Sequence, residues 1–284
     1  VTDYSFQFGS FVFGSGTPWQ IIDVDGIAGL PDIRVQDDNR GFNDGMFTGR
    51  DFYSGRTLTF TIHTFGNGSV SAHTNFQTLQ AALIPQQQGT TQLLFKLSPS
   101  DSQRTIQARV RTRRTLVDPE YTFGFIKSQV TMFCPDPRFY DVTPSTVSLT
   151  PVPTSYGRTY NRTYNMTYGT LGSTQGQLSN TGTVYTCPTI TLTGQASNPT
   201  FTYNDGSQTA TIRVNVVMGA TDVLVVNTFD RTVTLNGTPA RNLVNSGSTW
   251  FVVNPGTTGT LTFTITNSPA VAPTAIISYS NAYV

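Results

Sequence analysis

The sequence predicts an all-β protein built from two β-sandwich domains, with one short helix in the N-terminal domain. Three observations carry that expectation. Short runs in which every second residue is apolar recur along the chain, which is the period of a half-buried strand. Helix signals are confined to one stretch, while Asn-Gly, Asp-Gly and Pro-Gly pairs cut the runs at the intervals of sandwich turns. At 284 residues the chain is long enough for two ordinary cores, and a segment rich in proline and small polar residues lies near its middle.

The first distinctive segment is a loop, DDNRGFNDGMFTGRDFYSGR, that runs directly into the strand TLTFTIHTF at 57–65. In that strand Leu58, Phe60 and Ile62 share one face, and Thr57, Thr59, Thr61 and His63 share the other. The loop has no comparable face. Its glycines, Gly41, Gly45, Gly49 and Gly55, separate charged residues from Phe42, Met46, Phe47, Phe52 and Tyr53. A surface loop with this many large apolar groups either folds back onto its own domain or buries them against another chain. Its aspartates depart from the calcium-loop spacing and lack the terminal glutamate of that template. Salt bridges with Arg34, Arg40, Arg50 and Arg56 are the expected account of them.

The helix is expected over 74–83, TNFQTLQAAL, with Thr74 or Asn75 as cap, Phe76, Leu79 and Leu83 on one stripe, and Pro85 beyond its end. Strand-like runs follow at 92–97, 105–116 and 121–133, split by turn residues such as Pro99, Asp101, Asp118 and Pro119. On the second run Arg109, Arg111 and Arg113 point to one side, a basic stripe expected to face a protein partner or solvent. In CPDPRFYD, 134–141, two prolines remove backbone donors and end the strand.

The N-terminal domain is therefore placed at 1–141, a linker at 142–155 and the C-terminal domain at 156–284. In YGRTYNRTYNMTYG, Tyr156, Tyr160, Tyr164 and Tyr168 recur every fourth residue, a spacing compatible with a helix or a strand. The Tyr and Thr content favours the extended form. Tyr160, Tyr164 and Trp250 then serve either as packing aromatics or as a platform for a glycan. The strands TVYTCPTITLTG, PTFTYNDG, TATIRVNVV, DVLVVNTFD, RTVTLNGTPAR, TWFVVNPG and GTLTFTITN form a regular series that predicts a jelly-roll or galectin-like sandwich.

Composition limits the function. Charged residues make up 12% of the chain, about half the usual ~25%. The net charge of +1 gives no global case for nucleic-acid or membrane-surface binding. No apolar run reaches the ~18 residues of a membrane span, and no secretory leader is evident, so a soluble chain is expected. Cys134 and Cys187 have no metal or disulfide spacing and read as buried thiols. Glu120 is the sole glutamate, and His63 and His73 lie in no nucleophile context, so no catalytic residue, cofactor or metal is expected.

The arm loop joined to its strand, the CPDPRFYD closure and the run VLVVNTFDRTVTLNGTPARNLVNSGSTWFVVNPGTTGTLTFT together resemble siphophage distal tail proteins. The resemblance implies a structural virion protein at the distal end of the phage tail. Such a protein is a homo-hexameric hub ring that joins the tail tube to the tail tip or baseplate, with no stable nucleic-acid binding and no membrane insertion. On this reading Arg40, Phe42, Met46, Phe47, Arg50 and Phe52 are the candidates for subunit contact. The alternative is a carbohydrate- or receptor-binding module of the tail tip, resting on Trp250 and the tyrosines.

Overall fold

The computed structural model describes residues 2–151, 174–267, 269 and 271–284. The chain divides into two compact units, one of Val1–Val142 with Val284 and one of Thr143–Tyr283.

The first unit begins with strands β1 (Ser5–Phe8), β2 (Phe11–Gly14) and β3 (Trp19–Asp25). Four two-residue strands follow: β4 (Ile33–Arg34), β5 (Asp38–Asn39), β6 (Met46–Phe47) and β7 (Phe52–Tyr53). Then come β8 (Arg56–Thr64), helix α1 (Ser69–Ala82), β9 (Thr91–Lys96), β10 (Arg104–Leu116), the single-turn helix α2 (Pro119–Thr122), β11 (Ile126–Cys134) and β12 (Phe139–Asp141). The antiparallel order is β2-β1-β9-β10-β11-β8-β3, with β12 also against β10. Although β1 and β8 stand far apart in this order, Phe6 meets Phe60 edge to face at 5.1 Å, and Phe13 meets Phe60 at 5.5 Å. The sheet thus curls over a core of phenylalanines, each worth about 1.5–3 kcal/mol when buried.

The 57–65 strand forms as its alternation predicts, with Leu58, Phe60 and Ile62 fully buried. The helix starts five residues earlier than its apparent cap. Gly68, at φ 98°, turns the chain straight out of β8 into α1, which lets Ala72 join Phe76 and Leu79 on the buried stripe. Thr74 instead donates to the Val70 carbonyl, and Asn75 Nδ2 donates to Phe65 O across the turn. The run from 121 is a strand only from Ile126, because Asp118 caps α2 by accepting from the Tyr121 N–H.

The second unit contains β13 (Ser145–Leu149), β14 (Gln175–Asn180), β15 (Thr189–Thr193), β16 (Ala196–Ser197), β17 (Thr200–Asn204), β18 (Thr209–Arg213) and β19 (Val217–Met218). It continues with β20 (Val223–Asn227), β21 (Thr232–Leu235), β22 (Thr238–Pro239), β23 (Thr257–Thr264), β24 (Thr274–Tyr279) and β25 (Ala282–Tyr283). A six-stranded sheet, β13-β24-β15-β20-β21-β22, lies over a four-stranded one, β14-β23-β17-β18, around Leu192, Phe201, Leu224, Phe251, Phe263 and Ile277. Ring stacks at 4.9 Å (Phe201–Phe263) and 4.8 Å (Tyr203–Phe251) fill its middle. Asn236 and Gly237, at φ 51° and 78°, make the tight turn between β21 and β22 that the Asn-Gly pair predicts.

The expected linker, 142–155, contains strand β13, whose Val147 pairs with Ile277 and whose Leu149 is fully buried. Its alternation was hidden by flanking prolines. Cys134 is buried as expected, whereas Cys187 is only half-buried.

Candidate assembly surface

The arm is a two-tier β-ribbon. At its base Ile33 pairs with Tyr53 and Arg34 with Phe52, and nearer the tip Asp38 pairs with Phe47 and Asn39 with Met46. Three residues separate Arg34 from Asp38 on the outgoing strand, whereas four separate Phe47 from Phe52 on the return, so the return strand carries one extra residue. There the Gly49 N–H donates to the Asp37 carboxylate at 2.9 Å, and a Cβ on Gly49 would lie 1.8 Å from Gln36 O. Glycine is obligatory at this crossing.

Hardly any of the ribbon is covered by its own unit. Phe42 at the tip is 103% exposed, Phe47 60% and Met46 51%, with Ile33, Val35, Phe52 and Tyr53 exposed as well. None of the ion pairs among the described residues involves an arm residue. The expected salt bridges therefore do not form. The arginines lie over aromatic rings instead: Arg40 over Phe47 at 5.0 Å, and Arg34 and Arg50 over Phe52 at 5.4 and 5.3 Å. In each tier one face thus carries a phenylalanine under guanidinium groups, while the other carries uncapped apolar side chains, Ile33 with Tyr53 or Met46.

The root of the arm is held by Arg56, whose role the sequence does not disclose. Arg56 is 2% exposed and forms no salt bridge among the described residues. Its Nε donates to Pro137 O at 3.0 Å, and its Nη1 donates to Gly29 O at 2.6 Å and to Gly26 O. Its guanidinium lies 4.5 Å over the Phe139 ring. One side chain therefore ties the residues entering the arm, the residue leaving it, and the CPDPRFYD turn. Burial lowers the Arg56 pKa, and the nearby Cys134 opposes that shift. Burial also pushes the Cys134 thiol up to about 12, against the charge of Arg56. The turn is braced in its own right. Arg138 Nε and Nη2 grip both oxygens of Asp136 at 2.8 and 3.0 Å, and the Tyr140 hydroxyl donates to the same carboxylate at 2.7 Å.

The basic stripe differs from expectation. A bulge between Val110 and Thr112 opposes two steps of β10 to one of β11, which reverses the alternation. Arg113 consequently pairs with the buried Val130, and its Nη1 donates to Gln80 O and Leu83 O at the end of α1. Arg109 and Arg111 lie over Phe133 at 5.9 and 5.0 Å, and it is Arg114 that continues their face. Bulges leave no pattern in a run as polar as QARVRTRRTL.

His63 sits half-buried on β8, its pKa lowered by burial and by Lys127 and partly restored by Glu120. His73 Nδ1 contacts Ser69 O, and its ring meets Tyr121 edge to face. Trp250 is half-buried against the core of the second unit, with Arg241 4.7 Å over its ring, so it does not present an open platform. Tyr160 and Tyr164 lie outside the described residues. Among the described residues no group of His, Cys, Asp or Glu is placed to hold a metal ion. Among the described residues no helix is long and apolar enough to cross a membrane.

Residues 181–283 match the family of the siphovirus-type tail component, C-terminal domain. Comparison with curated protein sequences returns no match. Among solved structures, the chain is similar to the Dit hub protein of phage SPP1, with 18% identity, a TM-score of 0.67 and 99% of each chain covered. A chain of the phage P2 baseplate in its activated conformation aligns at 11% identity and a TM-score of 0.47, over 96% of this chain and 97% of that one.

Proposed function

We propose, starting from a C-terminal unit that is a siphovirus-type tail component domain within a chain folded throughout like a phage hub protein, that this protein is a structural subunit of the distal tail. It forms a homo-hexameric ring joining the tail tube to the tail tip or baseplate. The carrying observation is the arm. A ribbon reaching about 25–30 Å at ~3.3 Å per residue exposes Phe42, Met46, Phe47, Ile33, Val35 and Tyr53. An apolar surface of this kind on a polar chain marks a protein interface.

A head-to-tail interface that closes by rotation gives a ring, and it requires two different surfaces on each copy. The arm supplies one. Its base is tied down by the Arg56 hydrogen bonds, and ordering the base in advance lowers the cost of docking. Within the arm, Phe42, Met46 and Ile33 with Tyr53 supply the uncapped apolar contact, and Phe47 under Arg40 and Phe52 under Arg34 and Arg50 add aromatic surface rimmed by charge.

No catalytic role is assigned to any residue; the ring acts through its geometry. A glycan-binding reading gains nothing from Trp250, whose ring Arg241 covers. The test is Phe47→Asp in the full chain, followed by sizing and negative-stain imaging. The expected result is a folded subunit with the wild-type melt that no longer forms rings. Rings of wild-type yield would remove the arm from the interface.

A further inference from the structure

The outward face of the sheet β3-β8-β11-β10 is polarised in charge. Its registers define rows of side chains on one side: Asp23–Thr61–Gln129–Arg114, and next to it Asp25–Thr59–Thr131–Thr112. The middle strands are uncharged in these rows. Asp23 and Asp25 stand exposed on β3, which ends the sheet order on that side. Arg111 and Arg114 stand exposed on the outer part of β10. That strand pairs with β9 only over Arg104–Ala108, and beyond it the Gln86 N–H donates to Val110 O, so the stretch from Arg111 to Leu116 has β11 on one side and no ladder on the other among the described residues.

None of these four charges belongs to an ion pair among the described residues. Within one subunit they cannot neutralise each other. Three strand spacings of ~4.8 Å put Asp23 about 14 Å from Arg114, beyond a Debye length of about 8 Å at physiological salt. Both edges also carry a bulge, at Ile22 on β3 and at Arg111 on β10. Edge strands commonly carry charge and bulges as protection against indiscriminate pairing. Protection alone does not call for opposite signs on opposite edges.

We propose that the second surface of the ring is this pair of edges, with Asp23 and Asp25 of one copy set against Arg111 and Arg114 of the next. The inference rests on the ring reading above. Because two strands, β8 and β11, separate the edges in an antiparallel order, β3 and β10 run in opposite directions, and a neighbour's β3 laid beside β10 continues the antiparallel alternation. Opposite charges would then lie about one strand spacing apart, near 5 Å, instead of 14 Å. The same contact fixes polarity, since two β3 edges or two β10 edges would oppose like charges. The arm and the charged seam would thus divide the work, the arm contributing apolar area and the seam direction and register.

The experiment uses the full chain and three variants, D23R/D25R, R111D/R114D and the fourfold D23R/D25R/R111D/R114D. Each is checked for its fold by circular dichroism and then titrated by native mass spectrometry and light scattering at low and high salt. Each double variant is expected to need at least ~10-fold more protein for half-assembly than the wild type. The fourfold variant, in which every seam is reversed but complementary, is expected to regain most of the loss, and wild-type assembly to weaken as salt rises. Wild-type rings with unaffected double variants would overturn the seam, reduce the charges to edge protection and leave the ring reading standing. Loss in the double variants without recovery in the fourfold variant would also overturn it. A wild type that stays monomeric at every salt would overturn both readings together.

Discussion

Replacing Arg56 with methionine tests how the arm is held. The substitution removes hydrogen bonds to Pro137 O, Gly29 O and Gly26 O while keeping an unbranched apolar stem above Phe139. Charge-assisted bonds contribute about 1.5–3 kcal/mol each. The full sum is not lost, because the guanidinium no longer has to be desolvated and the methionine retains part of the ring contact. A net cost of about 3 kcal/mol follows, which for a unit of this size lowers the melting temperature by about 10 °C. If the loosening is confined to the root, the same energy raises amide exchange about 100-fold there, at 27–33 and 52–55, because each ~1.4 kcal/mol is a factor of ten. Exchange in β8 at Leu58–Ile62, under the phenylalanine core, should change far less. Calorimetry and hydrogen-exchange mass spectrometry on R56M measure both effects. A melt within 2 °C of the wild type with unchanged exchange at the root would refute the clamp.

Other outcomes follow from single groups. Burial works against ionising Asp205, yet hydrogen bonds from Gln208 and Ser207 outweigh it and hold the carboxyl at about 2. A folded pKa below the unfolded one contributes stability above about pH 4. That contribution fades as pH falls towards 2, so the melting difference between wild type and Asp205→Ala should be largest near neutrality and shrink in acid; a difference independent of pH would contradict it. Cys134, with its thiol pushed up to about 12, holds almost no thiolate at neutral pH. Its alkylation by iodoacetamide should become fast only in denaturant, and rapid labelling of the native chain would show that the site opens. A methyl on Gly26 would sit 2.1 Å from Thr57 O at φ 86°, so Gly26→Ala should destabilise the first unit by more than 1 kcal/mol in urea unfolding. An unchanged midpoint would mean that the root backbone adapts freely.

The parts of the fold visible in the sequence are those governed by local pattern. Leu58, Phe60 and Ile62 announce β8 because the strand alternates without interruption, and Asn236-Gly237 announces its turn because few other pairs adopt that backbone. Helix α1 was legible in its stripe but not in its start, since Gly68 replaces a side-chain cap. β13 is not legible in the sequence, because prolines flank its short alternation and its partner β24 lies more than a hundred residues away, where pairing leaves no local mark. The arm's apolar residues were legible by composition, whereas its covering arginines were not, because ring stacking and salt bridging use the same residue types. The same ambiguity hides the part Arg56 plays at the root. One bulged residue turns Arg113 to the face opposite the one that strict alternation predicts.

The ring is tested most directly by the oligomeric state of the purified chain, read by native mass spectrometry with negative-stain class averages of the same sample. A ring subunit gives closed particles of six copies with a central opening, formed without any partner protein. Monomers at the highest soluble concentration, with no closed particles in the images, would contradict the ring.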